Sequence, residues 1–304
     1  MSDVVAVTGG TGFIGKYIVD DLLSRGFTVR ALTRSARHET RDNLVWVRGS
    51  LEDYEALTRL VTGADFIVHC AGQVRGRAED VFTRCNVEGS LRLMQAARES
   101  GRCRRFLFIS SLAARHPELS WYANSKFVAE QKLTAMASDI ELGIFRPTAV
   151  YGTGDTELKP LFNAMLRGFL PRFGTPEATL SFLHVSDLAQ AVSQWLLADK
   201  TTVYPYELCD GYVGGYNWKR IQEIVTAVRH GPVRFINIPL PVLKFIADMT
   251  TLISPLTGKE PMLTRSKIGE LTYPDWSANN KSLCENIDWC PQVSLEYALQ
   301  HGLF

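Results

Sequence analysis

Gly9-Gly10-Thr11-Gly12-Phe13-Ile14-Gly15 constrains this chain more than any other stretch, because of what flanks it. Before it runs Val4-Val5-Ala6-Val7-Thr8, short, apolar and β-branched, as suits a strand buried on both faces. After it, Lys16 to Arg25 reads as a helix. Glycines between a strand and a helix allow a tight turn, close approach of backbone to a pyrophosphate and close packing of helix on strand. The helix start then aims unpaired N–H groups and the positive end of its dipole at the phosphates. This reading places Gly9, Thr11, Gly12, Phe13, Ile14 and Gly15 against a dinucleotide.

The rest of the first half fits a sheet built around that strand. Strands are expected at Phe27–Leu32, Leu44–Val47, Asp65–Cys70 and Arg105–Ile109, with a sixth opening at Gly143–Phe145. Between them, helices are expected over 53–61, 86–100 and 122–136; Val87, Leu91, Met94 and Ala97 keep helical spacing and Gly101 is a stop. Strands alternating with helices predict an α/β, doubly wound parallel sheet covered on both faces. Beyond Tyr151 the alternation loosens. Helices are expected at 157–167, 187–197, 218–229 and 239–253, and short strands at 181–184 and 204–208. The division is therefore a dinucleotide-binding part, 1–150, and a smaller substrate lobe, 151–304, with some chain returning to the first part.

Bulk properties exclude several classes of function. The net charge of +1 names neither nucleic acid nor an acidic surface as partner. No basic leader or apolar segment precedes the first strand, which predicts a cytoplasmic protein. Cysteines 70, 85, 103, 209, 284 and 290 are scattered without a C-x-x-C pair, so reduced structural thiols are expected and metal is not; Cys284 and Cys290 bring too few ligands. The helix at 239–253 carries Lys244 and Asp248 and is too short to span a bilayer. Packing on the lobe, with a share in lining a pocket, is its main expectation, and surface membrane contact a lesser one.

Two clusters carry chemistry. After the second strand come Thr33-Arg34-Ser35, with Arg30 and Arg37 near and no acid before Glu39. An acid there would accept from a ribose 2′-OH, whereas a guanidinium fork suits a 2′-phosphate, so NADP(H) is preferred over NAD(H), with Arg34 as main contact. At the end of the fifth strand stands Ser110-Ser111, followed by Tyr122-Ala123-Asn124-Ser125-Lys126. Tyr122 and Lys126 share one helical face, and a nearby ammonium is expected to lower a phenol pKa from about 10 toward usefulness.

With these residues in view, the sequence resembles the short-chain dehydrogenase/reductase superfamily in its extended branch, the epimerase/dehydratase-like one. The match continues through His69-Cys70-Ala71-Gly72, Asn86-Val87-Glu88-Gly89, Phe108-Ile109-Ser110-Ser111, Arg146 to Gly152 and Phe182 to Ala189. The resemblance implies that Tyr122 is the acid–base residue, that Ser111 polarises the substrate oxygen and that Lys126 holds the nicotinamide ribose. It also sets the backbone at Ala71-Gly72, Ile109 and Pro147-Thr148 along the cofactor, with Leu51 standing where relatives carry an Asp at the adenine. Homodimers through the helices near 86–100 and 122–136 are common in such relatives.

The activity implied is an NADP(H)-dependent oxidoreductase interconverting a carbonyl and an alcohol on a small molecule. Leu112-Ala113 follows Ser111 where sugar-nucleotide dehydratases carry Asp-Glu, and only Leu112 to Trp121 separate Ser111 from Tyr122, shorter than in nucleotide-sugar epimerases. An epimerase with tightly held cofactor is the alternative. A non-catalytic NADPH-binding regulator or assembly subunit would typically lose the Tyr or the Lys. Gln73, Leu112, Trp121 and Tyr151 are expected at the substrate, whose character Leu112 and Trp121 make apolar. His184 is expected to start a structural helix, His116 to sit exposed in the Ser–Tyr loop, and Tyr204, Tyr206, Tyr212, Tyr216 and Trp218 to pack the lobe.

Overall fold

A computed structural model describes residues 3–36, 41–199, 205–257, 260–261 and 263–304. Arg37, Glu39 and Tyr204 lie outside the described residues. The first half alternates as expected: β1 (Val4–Thr8), α1 (Phe13–Ser24), β2 (Thr28–Thr33), β3 (Leu44–Arg48), α2 (Tyr54–Val61) and β4 (Phe66–His69). It continues with α3 (Glu79–Phe82), a π-helical turn (Thr83–Glu88), α4 (Gly89–Ser100), β5 (Arg105–Ile109), α5 (Trp121–Met136) and β6 (Glu141–Pro147). Asp53 caps α2 by accepting from the Ala56 N–H, and Gly101 ends α4 with φ +63°.

The second half contributes β7 (Ala149–Tyr151), α6 (Lys159–Leu166), β8 (Phe169–Arg172), β9 (Thr179–Leu180), β10 (Phe182–His184), α7 (Val185–Leu197) and β11 (Pro205–Leu208). It ends with β12 (Tyr216–Asn217), α8 (Trp218–Arg229), β13 (Arg234–Asn237), α9 (Leu240–Thr257), α10 (Arg265–Thr272), β14 (Asp275–Trp276), α11 (Lys281–Cys284) and α12 (Leu295–His301).

Seven parallel strands form the main sheet in the order β11-β6-β5-β4-β1-β2-β3. Each face is covered by its own apolar cluster. One joins Ile18, Leu22 and Trp195 of α1 and α7 to the sheet, and the other joins Leu57, Leu93 and Leu133 of α2, α4 and α5. Chain order reverses between β1 and β4, which opens a crevice at the carboxyl ends of those strands. α7 and β11 are the chain that returns from the second half, and α7 seats so closely that a Cβ on Gly143 would lie 2.4 Å from the Trp195 ring. A separate core of Tyr151, Phe162, Phe182, Tyr216 and Trp218 builds the lobe.

Three expectations are corrected here. Tyr206 is buried in the main core against Phe145, ring centroids 6.1 Å apart, rather than in the lobe, because β11 is a sheet strand. His116 is half-buried between Tyr273, 4.2 Å away, and Trp276, not exposed in a loop. The helix expected from Asn86 starts at Glu79 and reaches Gly89 through the π-turn. α9 does line a cavity, yet it also exposes a second apolar side. His184 starts a structural helix as expected: its ring accepts from the Ser186 N–H and caps α7.

Candidate active site

The glycine turn is shaped by contacts that leave no room for side chains. A Cβ on Gly15 would stand 2.0 Å from the Gly9 carbonyl oxygen, and one on Gly9 (φ +76°) 2.6 Å from the Ala71 nitrogen. Gly12 caps α1 without a side-chain acceptor, and no acid stands in the first turn, so the helix start keeps its positive end open. The loops after β1 and β4 are pinned together: the Thr8 hydroxyl bonds His69 Nδ1 at 2.6 Å and accepts from the Ala71 N–H at 3.2 Å. His69 Nε2 meets Ser90 Oγ at 2.7 Å, and burial, with help from the Lys126 charge, drives the imidazole pKa down to about 3. This histidine is a neutral structural strut.

The residues expected to carry chemistry converge on the same edge of the sheet. Ser120 caps α5 by accepting from the Ala123 N–H, which sets Tyr122 in the first turn and Lys126 one turn on. The Ser111 hydroxyl lies beside the Tyr122 phenol and favours its ionised form, and it accepts from the Ala113 N–H at 3.2 Å. Lys126 is buried; its ammonium donates to the Ile109 carbonyl at 2.9 Å and lies 4.7 Å from the Phe108 ring centroid. A Cβ on Gly72 would be 3.2 Å from Lys126 Nζ, so the Ala71-Gly72 loop also closes on this group.

The expected direction of the Tyr122 shift is corrected. Burial pushes its phenol above the ordinary value, and only the Ser111 hydroxyl opposes this appreciably. Lys126 does not pull the phenol down, because its own burial brings the ammonium to about 8 and the charge is gone before such a phenol ionises. At neutral pH the Tyr122 phenol therefore keeps its proton.

Other predicted residues divide between site and scaffold. Arg34 is exposed at the end of β2, has no acidic partner among the described residues, and its charge reaches Cys85 across the edge of the sheet. Pro147 ends β6 and Thr148 follows it; the Thr148 hydroxyl is buried without a hydrogen-bond partner. Leu51 is buried, with its side chain against Gly89 at the start of α4. An uncapped helix start, a cradle that a Cβ would fill and an orphaned hydroxyl fit a dinucleotide lying along this edge.

Of the four substrate candidates, Trp121 lines an open cavity of about 1150 Å³ together with Pro117, Asn124, Thr251 and Leu252. This cavity takes Ser120, Trp121 and Asn124 from the turn that carries Tyr122, although Ser111 and Tyr122 are not among its lining residues. Gln73 holds the loop after β4: its backbone N–H donates to Asn86 Oδ1 at 2.6 Å, and its amide donates to the Arg75 carbonyl. Leu112 and Tyr151 are corrected, since both are buried. Leu112 packs with Cys209 and Ala278 and Tyr151 with Phe162 and Phe182, so neither meets an open pocket.

Sequence reasoning passed over three groups near the site. Asn86, turned inward by the π-turn, also donates to Ser125 Oγ at 2.9 Å, and such turns are frequent at functional sites. α10 closes over the start of α5: Lys267 Nζ lies 4.9 Å from the Tyr122 ring centroid and 2.8 Å from Glu270, which accepts from Ser120 Oγ. Glu130, two turns beyond Tyr122, accepts from Ser110 and pairs with Arg146. The lone sequence hint for α10 is Thr264, whose hydroxyl caps it by accepting from the Lys267 N–H. Among the described residues no group of three metal-ligating side chains occurs.

With this geometry in place, comparison with known proteins is decisive. A family model described as NAD dependent epimerase/dehydratase family matches residues 5–205. The chain belongs to that family. Within it, a ceramide reductase of Caulobacter vibrioides is 33% identical over 288 residues, covering 93% of this chain and 89% of the relative. A 2-alkyl-3-oxoalkanoate reductase of Stenotrophomonas maltophilia is 26% identical and covers 97% of each chain. The fold matches MoeE5, solved with UDP-glucose and NAD, at a TM-score of 0.75 and 21% identity over 98% of this chain and 96% of that one. The protein is an NAD(P)-dependent enzyme of the extended short-chain dehydrogenase/reductase type.

Proposed function

We propose that the chain is an NADP(H)-dependent reductase of a small-molecule carbonyl, with Ser111, Tyr122 and Lys126 as its catalytic residues. The observation that carries this is the Ser111 hydroxyl beside the Tyr122 phenol, with the buried Lys126 ammonium anchored one turn away on the Ile109 carbonyl. When bound, the dinucleotide would supply a hydride to the carbonyl carbon, or accept one in the reverse direction. Tyr122 gives its proton to the oxygen, Ser111 donates a hydrogen bond to the same oxygen, and the Lys126 ammonium would hold the nicotinamide ribose. Names of the two relatives above, one acting on a ceramide and one on an alkyl-bearing 3-oxo acid, support a substrate with an oxo group beside a long apolar chain. Trp121 and Leu252 offer apolar wall for such a chain in the cavity.

Arg34 is the group that separates the two nicotinamide cofactors. Arg34→Ala is expected to raise the Kd for NADPH at least about tenfold, one charge-assisted hydrogen-bonding pair being worth about 1.5–3 kcal/mol, and to leave NADH nearly unchanged. Equal losses for both, read by fluorescence titration, would remove the NADP(H) assignment. The activity itself is tested by following NADPH loss with a panel of 3-oxoacyl compounds and nucleotide sugars. Epimerisation of a sugar without net NADPH loss would overturn the reductase reading.

Lys126 also predicts a pH profile. Its ammonium titrates at about 8, so the rate of reduction should be level near neutrality and decline as pH rises through that value. Lys126→Arg keeps a charge at all these pH values and should lose the alkaline decline while running slower throughout. An unchanged profile in this variant would place the decline elsewhere.

A further inference from the structure

α9 has three faces, and the protein covers only one of them. Leu243 and Ala247 are buried against Ile268, with Phe173, Ile238 and Leu263 beside them. Asp248 and Thr251, a second side, line the cavity. Val242, Phe245, Ile246, Met249, Leu252 and Ile253 make up the third, at spacings of three and four residues that fix them to one stripe. At 3.6 residues per turn this stripe spans about 120° of the helix. Its exposures run from 36% at Met249 through 64% at Phe245 to 70% at Leu252, so it faces outward as a body. Soluble proteins seldom leave so continuous an apolar surface uncovered.

Charge says what covers it. α9 itself carries one cation, Lys244, and one acid, Asp248. Asp248 is already held by Arg265 through two bonds of 2.6 Å, while Lys244 is exposed and has no acidic partner among the described residues. A second copy seated on this face would bring a second unbalanced Lys244 to it, because a two-fold contact pairs a patch with itself. Anionic lipid headgroups balance this ammonium, and the acyl boundary beneath accepts the apolar stripe. Among the described residues no helix is long and apolar enough to cross a membrane, which leaves a helix lying in the plane of the surface.

We propose that the outward face of α9 docks on the anionic interface of a phospholipid bilayer. Leu252 belongs both to this stripe and to the cavity wall, so the docked face brings the cavity mouth to the membrane. The docking stands whether or not Tyr122 performs the chemistry assigned to it.

Co-sedimentation of the full chain with extruded vesicles tests this directly. Binding is expected to vesicles of phosphatidylcholine with a quarter phosphatidylglycerol, and to be several-fold weaker to phosphatidylcholine alone. Phe245→Asp with Ile253→Asp should weaken partitioning at least tenfold while the circular dichroism spectrum stays that of the parent. Should that pair fail to fold, Lys244→Glu with Phe245→Ser is expected to lose at least fivefold on the anionic vesicles. Absence of binding by the parent chain, or parental binding by the folded variants, overturns the proposal. So does a stable dimer in sedimentation velocity that the same substitutions dissociate, since the face would then join two copies.

Discussion

Tyr122→Phe is expected to bind NADPH about as the parent does and to lose about 10²- to 10⁴-fold in turnover, the usual worth of a positioned acid or base. The substitution removes one oxygen and leaves the ring where Phe82 and Lys267 flank it, so packing is preserved. What disappears is the proton that burial keeps on the phenol at neutral pH. The loss should fall on kcat rather than on cofactor affinity, because the role proposed for the phenol is on the substrate oxygen. Single-turnover kinetics with saturating NADPH separate the two. Turnover within a factor of a few of the parent would remove Tyr122 from the proton transfer.

The second large effect is on stability. Glu130, 1% exposed, accepts from Ser110 and forms a forked pair with Arg146, whose Nε lies 3.0 Å from Oε1. Glu130→Ala strands a nearly buried guanidinium and a buried hydroxyl, and breaking one side of such a pair typically costs about 3–5 kcal/mol. Glu130→Gln keeps the volume and an acceptor for Ser110 and should cost less. The effect reaches the active site, because Tyr122, Lys126 and Glu130 stand on one face of α5 while Ser110 adjoins Ser111. On the proposed reading Glu130 is thus a positioning residue. Urea denaturation of the two variants checks it, and a loss below about 1 kcal/mol, the range of an exposed pair, would contradict the buried geometry.

How much of this was legible beforehand depended on how strongly each segment announces itself. β1 and the glycine turn were plain because a strand buried on both faces must be apolar throughout, and Gly15 can be nothing else where a Cβ would strike the Gly9 carbonyl. Tyr122 and Lys126 were found by helical spacing, and Ser111 by its place after a strand. Lys267 and Glu270 carried no comparable signal. They sit on an eight-residue, mostly polar helix that buries only Ile268, and they reach Tyr122 and Ser120 across some 150 residues of chain. Two-residue strands such as Thr179–Leu180 and Asp275–Trp276 are too short to show a period. Leu112 and Tyr151 looked like substrate wall because apolar side chains in a pocket and in a core have the same composition; only burial tells them apart.

The strand Pro205–Leu208 has a bearing on how the molecule is made. It closes the β6 edge of a sheet whose other six strands are all complete by residue 147. During synthesis that edge waits for nearly sixty residues, its carbonyl and amide groups open to other chains, until β11 and the Trp195 helix emerge. A fragment cut at residue 150 would carry every glycine of the turn and every side chain proposed for catalysis and still leave a raw border prone to self-association. The half that carries the glycine turn is thus finished only by the half that follows it.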